Sequence, residues 1–162
     1  MPFETVSFTP TVTSPSSAVR GVVDAITLEH KAMSATVGAD GGVQVAAVYD
    51  VLRPVMDRLE FATSTQSTFT PSALRGLAPE RHVALSVHGG RAHTNNEVLL
   101  SVLAAAAHPG VDWLVSVVPE RYKNGPTLTR VHDQLRELRD ASGIDLDLVG
   151  VTLVGFSTTT RT

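Results

Sequence analysis

With 162 residues the chain has the size of one domain, long enough to bury an apolar core. Its 13 Lys and Arg against 16 Asp and Glu leave a net charge of -3, which excludes a strongly basic nucleic-acid coat but not a local basic cleft. The absence of cysteine excludes a disulfide framework, a thiol nucleophile and Cys-ligated zinc.

In chain order, residues 1–13 combine Thr, Val, Phe and Pro with almost no charge, and read as an extended arm lying on the body or on a partner. Met1-Pro2-Phe3-Glu4 lacks the basic start and apolar core of a signal peptide. No apolar run approaches the roughly 20 residues that span a bilayer, so a cytoplasmic protein without a membrane role is expected. Ser14-Pro15 signals a helix start, and Val19, Val22, Val23, Ile26, His30 and Met33 follow helical spacing, with His30 at the edge of that face. Gly38 to Gly42 is a turn. A second helix is expected from Gln44 to about Arg58, with Pro54 kinking or splitting it. The Thr/Ser-rich stretch from Ala62 to Ser72 begins with strand propensity, from Leu59 to Ser64, and becomes a polar loop.

The second half is more regular. Strand 82–88 alternates apolar and polar side chains, as a half-buried strand does. Gly89-Gly90 breaks it, and Thr94 with Glu97 spells a capping box opening a helix over 95–107. Strand 111–118, a polar loop from Pro119 to Pro126, helix 127–142 and strand 146–156 complete the pattern. Strand-helix-strand-helix-strand with short links predicts an α/β fold with parallel pairing, which the N-terminal helices turn into a mixed sheet with flanking helices. The expected organisation is an arm over 1–13, one domain over 14–156 and a Ser/Thr-rich tail over 157–162.

Val83-Ala84-Leu85, Gly90-Arg91-Ala92, Asn95-Asn96, Val111-Asp112-Trp113-Leu114, Val118 to Lys123 and Leu148 to Phe156, in that order and spacing, resemble the restriction-endonuclease-like, PD-(D/E)XK nuclease superfamily. The resemblance covers Arg81 to Phe156 and implies a restriction-endonuclease-like αβ core. In it a helix precedes a meander of strands, and the third strand carries the catalytic Glu-x-Lys or Glu-x-Glu before a glycine turn and a packing helix. It further implies that the two catalytic positions fall at Ser86 and His88. Magnesium prefers charged oxygen ligands, so this pair is degenerate as a metal site. The upstream carboxylate should stand shortly before the strand, where only Glu80 is present, with Asp57 and Glu60 further back. Some enzymes of this fold carry Ser on the strand and take the carboxylate from the following helix, and Glu97 imitates that arrangement.

Three histidines, His82, His88 and His93, surround the strand, with His82 and His88 on one face, but their spacing matches no zinc pattern and suits a polar surface or interface patch. Arg91 follows a glycine pair too short for a phosphate loop. Arg121 and Lys123 belong to a basic loop at the end of a parallel strand, where ligands of α/β sheets gather. Arg91, Arg121 and Lys123 are therefore the candidate nucleic-acid contacts. Trp113 reads as core. Ser86 lacks the Gly-x-Ser-x-Gly elbow of a hydrolase.

Three functions follow. The foremost is a pseudo-nuclease without a cofactor that acts by binding, contacting DNA or serving as a non-catalytic subunit of a defence, phage or mobile-element assembly, with a protein partner or as a homo-oligomer. The second is an active Mg-dependent DNA endonuclease in which Glu97, with Glu60 or Glu80, holds the metal while Ser86 and His88 complete the site. The third is a structural assembly protein with no nucleic-acid role.

Overall fold

The computed structural model describes residues 3–63, 74–123, 125–141 and 143–158. The polar loop expected in the Thr/Ser-rich stretch and the end of the C-terminal tail fall largely outside these residues.

The three apolar runs of the second half form the centre of a mixed sheet. Strands β4 (Val83–Val87), β5 (Trp113–Pro119) and β6 (Gly150–Phe156) pair in parallel, with Ser86 opposite Ser116 and Val115 opposite Thr152. Every residue of these three strands is buried, so the half-buried strand expected from the alternation of β4 is corrected. Both faces are covered, as is usual for parallel strands joined by helices, and the polar members of the alternation are buried with the apolar ones.

The remaining strands extend the sheet at both edges to give the order β1-β6-β5-β4-β3-β2. The N-terminal arm supplies β1 (Phe3–Ser7), an edge strand antiparallel to β6 that buries Val6. On the other side β2 (Ala62–Thr63) and β3 (Gly76–Ala78) form a short antiparallel meander into β4. Three residues are too few to show a period, which is why β3 is invisible in the sequence.

Helices α1 (Ser17–Leu28), α2 (His30–Ala35) and α3 (Val45–Arg58) cover one face. Their apolar stripes join Val83, Leu85, Val87, Trp113 and Val115 in one core cluster. Helix α1 is capped by Ser16, whose hydroxyl accepts the Val19 N–H, rather than by Ser14. The chain breaks at Glu29, so the single helix expected there is two. Pro54 does not split α3. It stands on the exposed side, where water can satisfy the carbonyl that its missing N–H leaves unpaired.

Helices α4 (Glu97–Ala106) and α5 (Thr127–Asp140) cover the opposite face over Ala84, Leu114, Val151 and Leu153. Both crossover helices thus lie on one side, as a constant hand of connection requires when strands are added in one direction. The carboxyl ends of β4 and β5 open between the α3 and α4 sides of the sheet, and Ser86, His88, Arg91 and Glu97 lie there. Among the described residues no helix is long and apolar enough to cross a membrane.

Candidate functional site at the carboxyl end of strand β4

Ser86 and His88 share the face of β4 that looks towards α4, as the two-residue period requires. They touch: His88 Nε2 lies 3.0 Å from Ser86 Oγ. Ser86 Oγ lies 2.7 Å from Ser116 Oγ, its neighbour in the parallel register, and Ser101 of α4 places its own Oγ 3.3 Å from the same imidazole nitrogen. All three serines are fully buried, and His88 is 4% exposed. The other imidazole nitrogen, Nδ1, faces Glu97 Oε2 at 3.7 Å.

The protonation pattern follows from that geometry. Burial pushes the His88 pKa below its ordinary value, opposed by Glu97 and aided by the Arg75 cation. The imidazole is therefore neutral at pH 7. With the proton on Nδ1, towards the carboxylate, Nε2 is left to accept from the Ser86 or Ser101 hydroxyl. The contact with His88 in turn holds the Glu97 carboxyl below its usual range, against a smaller opposing effect of partial burial, with Asn95 and Arg91 helping. At 3.7 Å the His88–Glu97 contact is a long one, and with a neutral imidazole it acts as the Nδ1–H pointing at the carboxylate.

Glu97 is free for this because the capping box does not form. The N-cap of α4 is Asn96, in the left-handed region at φ 54°, with no side-chain cap, and Thr94 donates instead to the Arg91 carbonyl. The helix begins two residues later than expected, and this aims the Glu97 side chain back at the end of β4.

Beyond His88 the glycine pair opens a cavity of about 400 Å³. Val43, Gln44 and Val45 form one wall, Gly89, Gly90 and Tyr122 another, and Arg91, Glu97 and Asp40 also reach it. Gly90 is required by contact: a Cβ there would sit 1.8 Å from Tyr122 Cδ2. Asp40 spends one carboxylate oxygen on the Gly42 N–H.

The other expected site residues disperse. Glu60 follows the end of α3, and Glu80 lies in the 3₁₀ turn Pro79–Arg81 that leads into β4. The two stretches are tied together where Arg81 donates to the Leu59 carbonyl. Glu97 stands off the opposite end of β4, whose five residues span roughly 17 Å. The metal set Glu60, Glu80 and Glu97 is therefore not assembled, because the short β3 and the 3₁₀ turn deliver both upstream acids to the wrong end of the strand. No three His, Asp or Glu side chains converge among the described residues. One half-exposed carboxylate and three buried hydroxyls, already bonded to one another or to His88, do not fit magnesium.

His82, exposed at the start of β4, pairs with Asp112. His93 instead meets Arg130 of α5, its Nε2 3.1 Å from the guanidinium. The three histidines form no cluster. Arg91 lines the cavity and Lys123 lies over the Tyr122 ring at 5.6 Å. Arg121 instead lines a separate cavity with Glu4, Glu120 and His132.

Sequence reasoning missed Ser116 and Ser101. A signal for the first was present: Leu85-Ser86-Val87 and Val115-Ser116-Val117 are the same apolar-Ser-Val pattern, and parallel strands in register bring such serines together. Ser101 stands one helical turn beyond Glu97. No family model, curated protein or solved structure matches this chain.

Proposed function

We propose that the chain is a catalytically degenerate protein on a restriction-endonuclease-like, PD-(D/E)XK scaffold that works by binding, as a DNA-contacting or non-catalytic subunit of a defence, phage or mobile-element assembly. The observation that carries this reading is the buried Ser116–Ser86–His88 chain with Ser101, standing where two-metal chemistry on that scaffold needs anionic oxygens. The order of elements supports it. Helix α3 precedes the meander β2-β3-β4, and the third strand of the meander ends in Gly89-Gly90 and then α4. Arg91 at the cavity and Lys123 over the Tyr122 ring supply the local cations that a chain of net charge -3 needs to hold a phosphate backbone.

The test is incubation with supercoiled plasmid and Mg²⁺ or Mn²⁺, alongside a DNA-binding titration at low salt. The expected result is binding without cleavage. Nicking that disappears in Glu97→Ala would overturn the proposal in favour of the active endonuclease. A stable oligomer that binds no DNA would favour a role in assembly alone.

A further inference from the structure

The long helices of this fold differ in what they turn to water. The exposed positions of α1, α3 and α5 carry charges, among them Arg20, Asp24, Asp50, Arg53, Arg136 and Glu137. Helix α4 does not: from Val98 to Ala107 there is no Asp, Glu, Lys or Arg. Its exposed residues are Asn96 at the N-cap, Leu100, Leu103 and Ala107 at the C-cap, and every position between them is buried or half-buried. Those four stand at spacings of four, three and four, the seam of a helix that packs lengthwise against another helix. Leu100 is 37% exposed and Leu103 40%, and among the exposed large apolar residues they are the one pair on a common helical face. A helix that is apolar all round is normally covered on every side.

We infer that α4 packs against α4 of a second copy of this chain, antiparallel and about a two-fold axis. The stripe itself selects that partner. Turned end for end it matches itself, so that Leu100 meets the partner's Leu103 and Asn96 meets the partner's Ala107, as a two-fold contact requires. A charged surface laid on these leucines would have its charges desolvated and unpaired, and α4 is the uncharged helix face that this chain supplies. Antiparallel packing also sets the positive N-terminal end of each helix beside the negative C-terminal end of the other. There Asn96, whose side chain makes no cap bond, comes beside the carbonyls that the last helical turn leaves unpaired, and its amide can donate to them. A helix of ten residues is about 15 Å long. The seam is therefore at the small end of specific interfaces, and the dimer is a weak, concentration-dependent one rather than an obligate one. The pair gives the assembly role proposed above its partner, and it stands on α4 alone, so its failure leaves the DNA-binding reading untouched.

The experiment is sedimentation equilibrium of the full chain, without DNA, over a wide range of concentration. The expected result is a reversible passage from 17.2 kDa towards twice that mass. Leu103→Lys should weaken the dimer by about tenfold or more, because the new charge is desolvated against an apolar neighbour. Leu28→Lys, at the 80% exposed end of α1, should leave it unchanged. The chain has no cysteine, so Leu100→Cys and Leu103→Cys report the register directly. Mixed under mild oxidation, these two variants should cross-link to each other faster than either does to itself. A monomer at every concentration would overturn the inference, as would a dimer indifferent to Leu103→Lys or weakened equally by Leu28→Lys. Cross-linking without that preference would overturn the antiparallel pairing.

Discussion

His82 and His88 stand at the two ends of β4, and the same side chain does different work at each. His82 is 60% exposed, in the left-handed region at φ 55°, with Nδ1 3.5 Å from an equally exposed Asp112 carboxylate. His88 is sealed among Ser86, Ser101 and Glu97. Water screens the first contact and is excluded from most of the second, so only the second is a place where a missing partner must be felt. The comparison teaches that the same side chain is sealed at the carboxyl end of β4 and solvated at its amino end.

The sharpest way to break the asymmetry is at the glycine turn. Gly90→Ala puts a methyl group into the Tyr122 ring, 1.8 Å from Cδ2, and the ring has to leave the cavity wall. The expected cost is about 3 kcal/mol, the upper part of the usual range for overpacking, read as a lower Tm or denaturant midpoint. Gly89→Ala meets a Val45 methyl at 3.2 Å and the Val43 carbonyl at an ordinary 3.5 Å, and should cost visibly less. Equal losses for the two would refute the contact. Ser86→Ala comes next. It strips one partner from both the Ser116 hydroxyl and His88 Nε2 inside the core, for about 2 kcal/mol. An unchanged unfolding midpoint would mean that the buried chain is not formed.

The elements behind this asymmetry were unequally legible. The runs around Leu85, Val115 and Leu153 announced themselves as strands, and the 3.6-residue stripe of Leu128, Val131 and Leu135 announced α5, because long periodic segments carry their own signal. Residues 76–78 did not, since so short a strand exists only through its neighbours. In the site, Ser86 and His88 were legible as a same-face pair, but the role of Glu97 was masked by a local pattern. Thr94-x-x-Glu97 is a good capping box in isolation, and the left-handed Asn96 overrides it, leaving the carboxylate to His88. Arg75 and Tyr49 meet only through tertiary packing, 26 positions apart, so neither carried any signal as a contact.

The pH dependence sharpens the comparison with a smaller effect. His88 is held below its ordinary value of 6.5 by burial. Below about pH 6.5 the unfolded chain takes up a proton there that the folded chain refuses, so stability falls as the pH drops towards the lowered folded value. Glu97, held below its ordinary 4.5, contributes stability that is full above that pH and is lost as the pH falls through its folded value. Melting curves between neutral and mildly acid pH should therefore slope downward towards acid, and His88→Gln should flatten the part of the slope just below pH 6.5. Identical slopes for the two proteins would show that His88 titrates as it does in water.

The smallest effect belongs to the other end of the strand. Asp112→Asn removes the carboxylate facing His82 while keeping a side chain of the same size, and the backbone N–H of Asp112, which donates to the His82 carbonyl, is untouched. Because both side chains are largely in water, the change in stability should be about 0.5 kcal/mol or less. Whatever remains should vanish at high salt, where exposed charges no longer sense each other beyond a few ångströms. A loss comparable to that of Ser86→Ala, persisting at high salt, would mean that this margin is part of the structural core after all, and that burial does not separate the two histidines.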